Sequence, residues 1–362
     1  MNSFSRSIFG LLSMMCMMSE GLFAMSLPDI LSTHNLRTLD TRSNYNFHSM
    51  YVEVGSEKFI LFEQVENINF DRINVKLFNL SAHNDLNSQP MEIEGFTKQP
   101  NYLTLVGHEY EGPILWVYFS FADGYDEAAQ IMKGRLTRQG KLIDLVALNL
   151  EQELIGGSWP RYHRLTESTS AISLRAPKCC GLALMKSSDG VSYVRDNSFQ
   201  QSGTMPVISS FESGNLIYSY QRSFPTDKKT SKGKTKYVQK SRFKIAQQNS
   251  WSPEYLVSEK TFEIHDAFPF KRLDGRVDLY YVNDYGREPN QLSVWRRCVD
   301  ELGNLGKEEQ ITDERIGNVA KPYTYRNSRG EIFFLFIEQG EGLNTGSIQQ
   351  VTTLTKDAAC SL

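Results

Sequence analysis

A recurring unit constrains the fold of this sequence more than any other feature. Each copy is a short mixed stretch, a turn, and then a dense aliphatic and aromatic run, and the copies follow one another at roughly 46–63 residues. Five copies open with a proline, namely Pro100, Pro160, Pro206, Pro269 and Pro322. A sixth copy, residues 50–62, lacks the proline. Repeats of this length made of short strands are typical of β-propellers, so the sequence predicts an all-β fold, a six-bladed β-propeller.

The order of strands and turns predicts how the ring closes. Between Tyr45 and Thr355, runs rich in Val, Ile, Tyr and Phe alternate with Gly, Asn, Asp and Ser clusters, which indicates four strands per blade. The last repeat is one strand short, while residues 30–39 precede the first repeat and belong to none. We therefore expect residues 30–39 to supply the missing strand and protect the edges of the last sheet. Five blades with a degenerate extra segment is the alternative.

The first 24 residues are typical of an export signal. Arg6 gives a positive start, residues 8–18 are apolar, and residues 22–24 end in an acceptable cleavage site. The apolar run is too short to span a bilayer. The sequence thus predicts a signal peptide at 1–24, a single propeller domain at 25–362 and a secreted or periplasmic protein. The net charge of −3 gives no reason to expect nucleic acid as a partner.

Four cysteines lie beyond this segment: Cys179, Cys180, Cys298 and Cys360. An even number in an exported protein indicates disulfides. Neighbouring cysteines bridge each other only with strain, so if bonds form we expect Cys179 and Cys180 each to pair with Cys298 or Cys360. Buried free thiols are the alternative.

One insertion is rich in lysine. Residues 225–240 carry six lysines, from Lys228 to Lys240, between the second and third strands of the fourth repeat. Such a run predicts a mobile, solvated loop, and contact with an anionic surface through this loop is the alternative.

Ligands of propellers commonly bind in the central funnel, where polar side chains of several blades converge. The repeats place acidic residues at the ends of the second strands, and these are the catalytic candidates: Asp123, Asp126, Glu127, Asp284 and Glu338. Further residues at the same rim are the ligand-binding candidates: His48, Glu63, Trp159, Arg161, Arg222, His265, Asp266 and Lys321. Facing carboxylates can act as acid and base on a glycosidic bond, or bind calcium. Ordinary surface polarity is the third interpretation. No cofactor and no other metal is predicted.

The turn Ser187-Ser188-Asp189-Gly190-Val191-Ser192-Tyr193 resembles the Asp-box of sialidase-like propellers, and residues 249–254 resemble the end of a second copy. The resemblance covers the repeat length and these two turns, and it carries over no catalytic residue. It implies a six-bladed sialidase-like propeller in which the box is a folding element, its Asp and Ser satisfying backbone groups of the turn.

Together these features predict an exported propeller that recognises a glycan at an acidic central funnel and, as a further step, hydrolyses it as a glycoside hydrolase. The rival hypothesis is a non-catalytic scaffold that binds a protein or a surface polymer through the rim or the lysine-rich segment.

Overall fold

A computed structural model describes most of the chain after the predicted signal peptide, and the prediction of an all-β fold is confirmed. The described residues are 36–40, 45–65, 72–80, 91–96, 100–123, 128–177, 181–229, 232–247, 250–259, 264–283, 292–312, 318–326, 332–339, 346–354, 360 and 362. In this described part, one short 3-10 helix, Gln152–Leu154, accompanies the strands. No helix there has the length and apolar character needed to cross a membrane.

The strands follow one another along the whole described chain. They are β1 Leu36–Asp40, β2 Tyr45–Val54, β3 Glu57–Val65, β4 Ile73–Asn79, β5 Met91–Glu92, β6 Tyr102–Glu111, β7 Ile114–Ala122, β8 Gln130–Leu136, β9 Leu142–Ala147, β10 Asn149–Leu150, β11 Ser158–Arg164, β12 Ser170–Arg175, β13 Gly181–Ser187, β14 Ser192–Arg195, β15 Gln201–Ser202, β16 Thr204–Ser210, β17 Leu216–Lys229, β18 Thr235–Gln247, β19 Ser250–Trp251, β20 Tyr255–Leu256, β21 Ile264–Lys271, β22 Val277–Asn283, β23 Ser293–Val299, β24 Glu309–Gln310, β25 Asn318–Arg326, β26 Ile332–Gln339 and β27 Gly346–Leu354.

Most strands pair with the next in antiparallel meanders. Five sheets result, and the largest consists of two meanders, β2–β5 and β6–β9, joined by one parallel contact between Ile73 and Tyr102. Each meander begins with a strand that we call its first strand: β2, β6, β11, β16, β21 and β25. The sheet of β25, β26 and β27 has β1 at its other edge.

The strand predicted at residues 30–39 appears in its described part as β1. It pairs antiparallel with β27, Leu36 opposite Val351. Residues 30–35 lie outside the described residues. The edge of β27 is therefore covered by a segment from the other end of the described chain.

The hydrophobic core is divided among the spaces between neighbouring meanders. One cluster joins Leu61 of β3 to Val117 of β7, and others continue this arrangement along the chain. A further cluster joins Tyr51 of β2 to Leu335 of β26, so the first meander packs against the last. Each first strand also contacts the next one, and β25 contacts β2. The first strands therefore surround a common central space.

The turn that resembles an Asp-box connects β13 to β14. Asp189 Oδ1 accepts hydrogen bonds from the backbone N–H groups of Val191 and Ser192, at 2.8 and 2.7 Å, and from the Ser187 hydroxyl at 2.9 Å. These bonds hold the pKa of Asp189 well below its usual range. Gly190 has φ +67°, the left-handed conformation that glycine adopts without strain. Tyr193 is buried.

The lysine-rich segment differs from its prediction. Instead of a loop, β17 and β18 pair from Ile217 opposite Ile245 to Pro225 opposite Tyr237 and, after a register shift, again at Lys229 opposite Thr235. Residues 230 and 231, at the tip, lie outside the described residues. The insertion is an extended two-stranded hairpin because its Phe, Thr, Tyr and Val residues favour strand pairing over a coil.

The disulfide expectation was wrong in its pairing. Cys298 of β23 bonds to Cys360, with their Cα atoms 5.7 Å apart. Cys179 and Cys180 lie outside the described residues. The bond is possible because Cys360 lies beside the meander of β21–β24. The Cys360 carbonyl also accepts a hydrogen bond there from Arg276 Nη1 at 3.2 Å.

Candidate functional site

A cavity of about 410 Å³ lies among the first strands, and all six of them contribute to its lining. We call the end at which these strands begin the front. Trp159, Asp266 and Lys321 lie at the front, while apolar residues such as Val207 and Phe268 line the middle. A volume in this range is typical of small-ligand sites. The cavity is therefore the candidate site.

The first strands share an irregularity at the front. The pairing of β11, β16, β21 and β25 with their second strands shifts register at equivalent places, which marks β-bulges. In each bulge one non-glycine residue has a left-handed φ between 48° and 52°: Trp159, Met205, Asp266 and Lys321. All four line the cavity. Such a conformation costs about 1–3 kcal/mol and clusters at functional sites.

The residue that follows the strained one explains three of the repeated prolines. Pro160, Pro206 and Pro322 sit inside the bulges, where the ladder needs no N–H group. In β21 this position is Ala267 and not Pro269, which pairs in the regular ladder with Leu279. The sequence alignment of Pro269 with the other prolines was therefore two residues out of register.

His48 and Glu63 form a pair at the front of the first meander. His48 Nδ1 lies 3.1 Å from Glu63 Oε2, and Glu63 Oε1 accepts the Leu105 N–H at 2.7 Å. Burial alone would raise the pKa of Glu63, but His48, Arg161 and the Leu105 N–H together hold it below its usual value. Burial and the nearby charge of Arg161 lower the pKa of His48. At neutral pH we therefore assign an ionised Glu63 that accepts a hydrogen bond from Nδ1 of a neutral His48.

Arg161 is held by backbone carbonyls and not by a carboxylate. Its Nη1 donates to the carbonyl oxygens of Leu105 at 3.0 Å and Pro160 at 2.9 Å. In the described part of the chain, its Nε and Nη2 make no hydrogen bond. Burial lowers the pKa of Arg161, and the charges of Glu63 and Asp266 oppose that shift. Because Arg161 lines the cavity, its Nε and Nη2 can donate hydrogen bonds to an oxygen of a ligand.

Two neighbours, Lys321 and Gln221, bond to Asp266 at the front. Lys321 Nζ lies 2.8 Å from Asp266 Oδ1, and Gln221 Nε2 donates to the same oxygen at 3.3 Å. The Lys321 side chain also lies 3.5 Å from Met205 Sδ. Asp266 and Lys321 are only 13% and 12% exposed, so the pair is a fixed dipole beside the cavity.

Trp159 completes the front as an aromatic surface. Its ring lies 5.5 Å from the Arg175 guanidinium carbon, and its side chain is half-buried. Position 157, two residues before Trp159, is a glycine because a Cβ there would lie 2.9 Å from the Arg175 carbonyl oxygen. A half-buried indole beside hydrogen-bonding groups can bind the apolar face of a sugar ring.

The back of the cavity is lined by cations that have partners. Arg164 Nη1 bonds to Glu109 Oε2 at 2.9 Å, and Lys271 lies 3.1 Å from Glu212. His108 and His163 also line the cavity, and burial lowers the pKa of each to about 4. The prediction considered the front alone and missed these residues, of which Arg164 and Lys271 each occur five positions after the strained residue of their strand.

Five of the predicted residues line the cavity: His48, Trp159, Arg161, Asp266 and Lys321. Glu63 lies behind His48 and is buried. Arg222 does not line the cavity, because its side chain turns to Glu254 Oε2 at 3.3 Å. Asp123 is exposed after β7. Within the described residues, the front holds two cations, Arg161 and Lys321, and two carboxylates, Glu63 and Asp266.

The other predicted residues are placed in part or not at all. Asp126, Glu127 and Asp284 lie outside the described residues. His265 and Glu338 are described by their backbones in β21 and β26. Met205 was missed, although Met205-Pro206 repeats the pattern of Trp159-Pro160 and Lys321-Pro322. Among the described residues, no group of three or more His, Cys, Asp and Glu side chains is arranged to hold a metal ion.

The chain matches no protein-family model and no curated protein sequence. Its fold is similar to solved structures of β-propeller proteins, which makes it an all-β, propeller-type fold. One is a Penicillium chrysogenum alpha-L-arabinanase complexed with arabinobiose, with a TM-score of 0.55, 12% identity, and 88% of this chain and 98% of that chain covered. Another is the alpha-L-arabinofuranosidase Arb93A from Fusarium graminearum, complexed with an iminosugar inhibitor, with a TM-score of 0.54, 10% identity, and 88% and 97% covered. At these identities the likeness concerns the fold alone.

Proposed function

We propose that the chain is a six-bladed propeller, closed by β1, that binds a glycan at the front of its central cavity. The observation that carries the proposal is the set of four bulges. Trp159, Met205, Asp266 and Lys321 each hold a strained conformation, and all four border one cavity. Strain repeated around a single ligand-sized space is better explained by ligand binding than by packing.

The chemistry of the front fits a sugar. Trp159 offers a flat apolar surface, while Arg161 and Lys321 offer donors and Asp266 offers acceptors. Sugars present this combination of apolar ring faces and hydroxyl groups. The two similar folds described above belong to an arabinanase and an arabinofuranosidase, which supports a glycan ligand in the proposal. We further propose that residues 1–24 direct export, which would bring the site to extracellular glycans.

Hydrolysis is the second candidate function, and one observation favours it. Asp266 is a carboxylate in the cavity wall, fixed by Lys321. Glycoside hydrolysis needs a second carboxylate about 5–9 Å away. Glu338 is the first to test, because its backbone pairs with Val319, two residues before Lys321.

The test is a glycan-array screen of the protein and of two matched variants. Asp266→Asn removes a charge from the cavity wall. Asp144→Asn removes a charge from an aspartate that also has a left-handed φ, of 54°, but lies exposed and away from the cavity. We expect Asp266→Asn to weaken binding of every hit by at least about tenfold, and Asp144→Asn to leave it unchanged.

Turnover of each hit is then followed by mass spectrometry. Cleavage that Asp266→Asn and Glu338→Gln both abolish would establish a glycosidase. Binding without cleavage would leave a lectin-like protein. An array without hits, or equal effects of the two aspartate variants, would refute glycan binding at this cavity and favour the protein-binding scaffold.

A further inference from the structure

The extended hairpin concentrates the positive charge of the molecule. Residues 216–247 contain nine Lys and Arg residues against one acidic residue, Asp227, a net charge of +8. The whole chain carries −3, so the remainder carries −11. The asymmetry is large enough to orient a charged partner toward this one element.

The outer part of the hairpin is a two-stranded ribbon, formed by residues 222–229 and 235–240. β16 pairs with β17 only as far as Gln221, so beyond that residue β17 pairs with β18 alone among the described strands. Pro225, Lys228 and Lys229 are exposed there. Tyr237, opposite Pro225, is 56% exposed. The ribbon therefore offers an aromatic ring and several cations on an uncovered surface.

The base of the ribbon is fixed by ion pairs, whereas four lysines further out have no carboxylate partner in the described part of the chain. Glu254 bonds to both Arg222 and Arg242, and Phe224 lies 4.3 Å from the Arg242 guanidinium carbon. Further out, no carboxylate of the described chain forms an ion pair with Lys228, Lys229, Lys232 or Lys236. A fixed element that presents unneutralised cations suits a polyanion.

The ribbon begins at the front of the cavity. Gln221, the residue before it, donates a hydrogen bond to Asp266 at 3.3 Å, and Asp266 lines the cavity. A polymer whose end occupies the cavity thus meets the ribbon as its next surface. A lipid surface would not be selected in this way, because its binding to the ribbon would not depend on the neighbouring cavity.

We propose that the ribbon binds the continuing chain of an anionic polysaccharide, carboxylated or sulfated, whose end occupies the central cavity. The inference rests on the proposed function and adds the substrate class. The lysines bind the acidic groups, and Tyr237 stacks on a sugar ring. If these lysines served only to prevent aggregation through the exposed strand edges, they would contribute nothing to binding the polysaccharide.

The experiment measures binding of the full-length protein to polygalacturonate, to neutral linear arabinan and to vesicles of anionic phospholipid. The ribbon variant carries Lys228→Gln, Lys229→Gln, Lys232→Gln and Lys236→Gln. The control variant makes the same change of charge elsewhere, with Arg138→Gln, Lys141→Gln, Lys186→Gln and Lys307→Gln. Thermal unfolding confirms that both variants are folded. Binding is measured at about 0.01 M and about 1 M salt, between which the Debye length falls from about 30 to about 3 Å.

We expect tighter binding of polygalacturonate than of arabinan, and a loss of at least about tenfold in the ribbon variant at low salt. The control variant should stay within about twofold, since distant exposed charges are screened. At high salt, wild type and ribbon variant should converge.

The remaining outcomes overturn the inference in different ways. If arabinan binds and polygalacturonate binds no better, the proposed function stands and the acidic substrate is refuted. If the ribbon variant loses only binding to vesicles of anionic phospholipid, the ribbon is a lipid-binding element. If neither polymer binds wild type, the proposed function and the inference fail together.

Discussion

Two half-buried histidines of the cavity, His108 and His163, predict a loss of stability in mild acid. His108 and His163 each have a pKa lowered by burial to about 4, against an unfolded value of about 6.5. His108 Nδ1 lies 2.9 Å from Met50 Sδ, and His163 Nε2 lies 3.4 Å from the Ser210 hydroxyl. Neither neighbour compensates a positive charge.

The sign follows from proton linkage. Between pH 6.5 and 4 the unfolded chain binds protons at these positions and the native protein does not, so the free energy of unfolding falls as the pH falls. The loss begins near pH 6.5 and levels off below about pH 4. At pH 5, lowering the pKa from about 6.5 to about 4 corresponds to a loss of about 2 kcal/mol in the free energy of unfolding per histidine. Both side chains are half-buried, so screening reduces the expected total to about 2–4 kcal/mol.

The assay is urea unfolding, followed by tryptophan fluorescence, at pH 7, 6 and 5. The double variant His108→Gln and His163→Gln replaces both rings by side chains that do not titrate, and each protein is compared with its own value at pH 7. This pH interval lies above the unfolded pKa of carboxylates. A carboxylate whose pKa is lowered in the native protein, such as Glu63, therefore contributes the same stability at all three pH values. His48 stays in both proteins and adds a loss of the same sign to each.

We expect the double variant to lose less than half as much stability between pH 7 and pH 5 as the wild type. An equal loss in the two proteins would refute the assignment of the acid sensitivity to these two rings.

Two further predictions concern a buried ion pair and a strained residue. Asp278 contacts Arg272 Nη1 at 3.0 Å and Arg296 Nε at 3.1 Å, and all three side chains are buried. Asp278→Asn should therefore lower the free energy of unfolding by about 3–5 kcal/mol, whereas the control Asp144→Asn, at an exposed ion pair, should change it by less than about 1 kcal/mol. A similarly small effect of Asp278→Asn in urea unfolding would contradict the argument. Met205→Gly should be more stable than Met205→Ala by about 1 kcal/mol, because both lose the side chain and only glycine adopts φ 48° without strain; equal stabilities would show that the bulge carries no strain.

The repeat predicted the all-β fold because alternating apolar residues between turn clusters are read directly from the sequence. The same alternation predicted four strands per repeat, and β6, β7, β8 and β9 form such a meander of four antiparallel strands. The strand character of residues 222–240 was hidden by charge, because lysine frequency and strand pairing are separate properties. A sequence of Lys and Thr next to Phe224 and Tyr237 reads as a loop when only its charge is considered.

The front residues were predictable where a proline marked the bulge. Trp159 and Lys321 precede prolines and entered the prediction, whereas Met205 has the same pattern and was passed over because its side chain is apolar. The partner of Arg222 could not be predicted, because Glu254 lies 32 residues away on a different turn.

The pairing of β1 with β27 has a consequence for how the chain is made. Leu36 and Val351 lie about 300 residues apart, so β1 leaves the ribosome long before its partner strand exists. During that interval it is an unpaired strand, and contacts of such high sequence separation form slowly. If a second copy of the chain supplied β27 first, the result would be a strand-swapped pair of molecules. Such a strand-swapped pair would become more frequent as the concentration of unfinished chains rises.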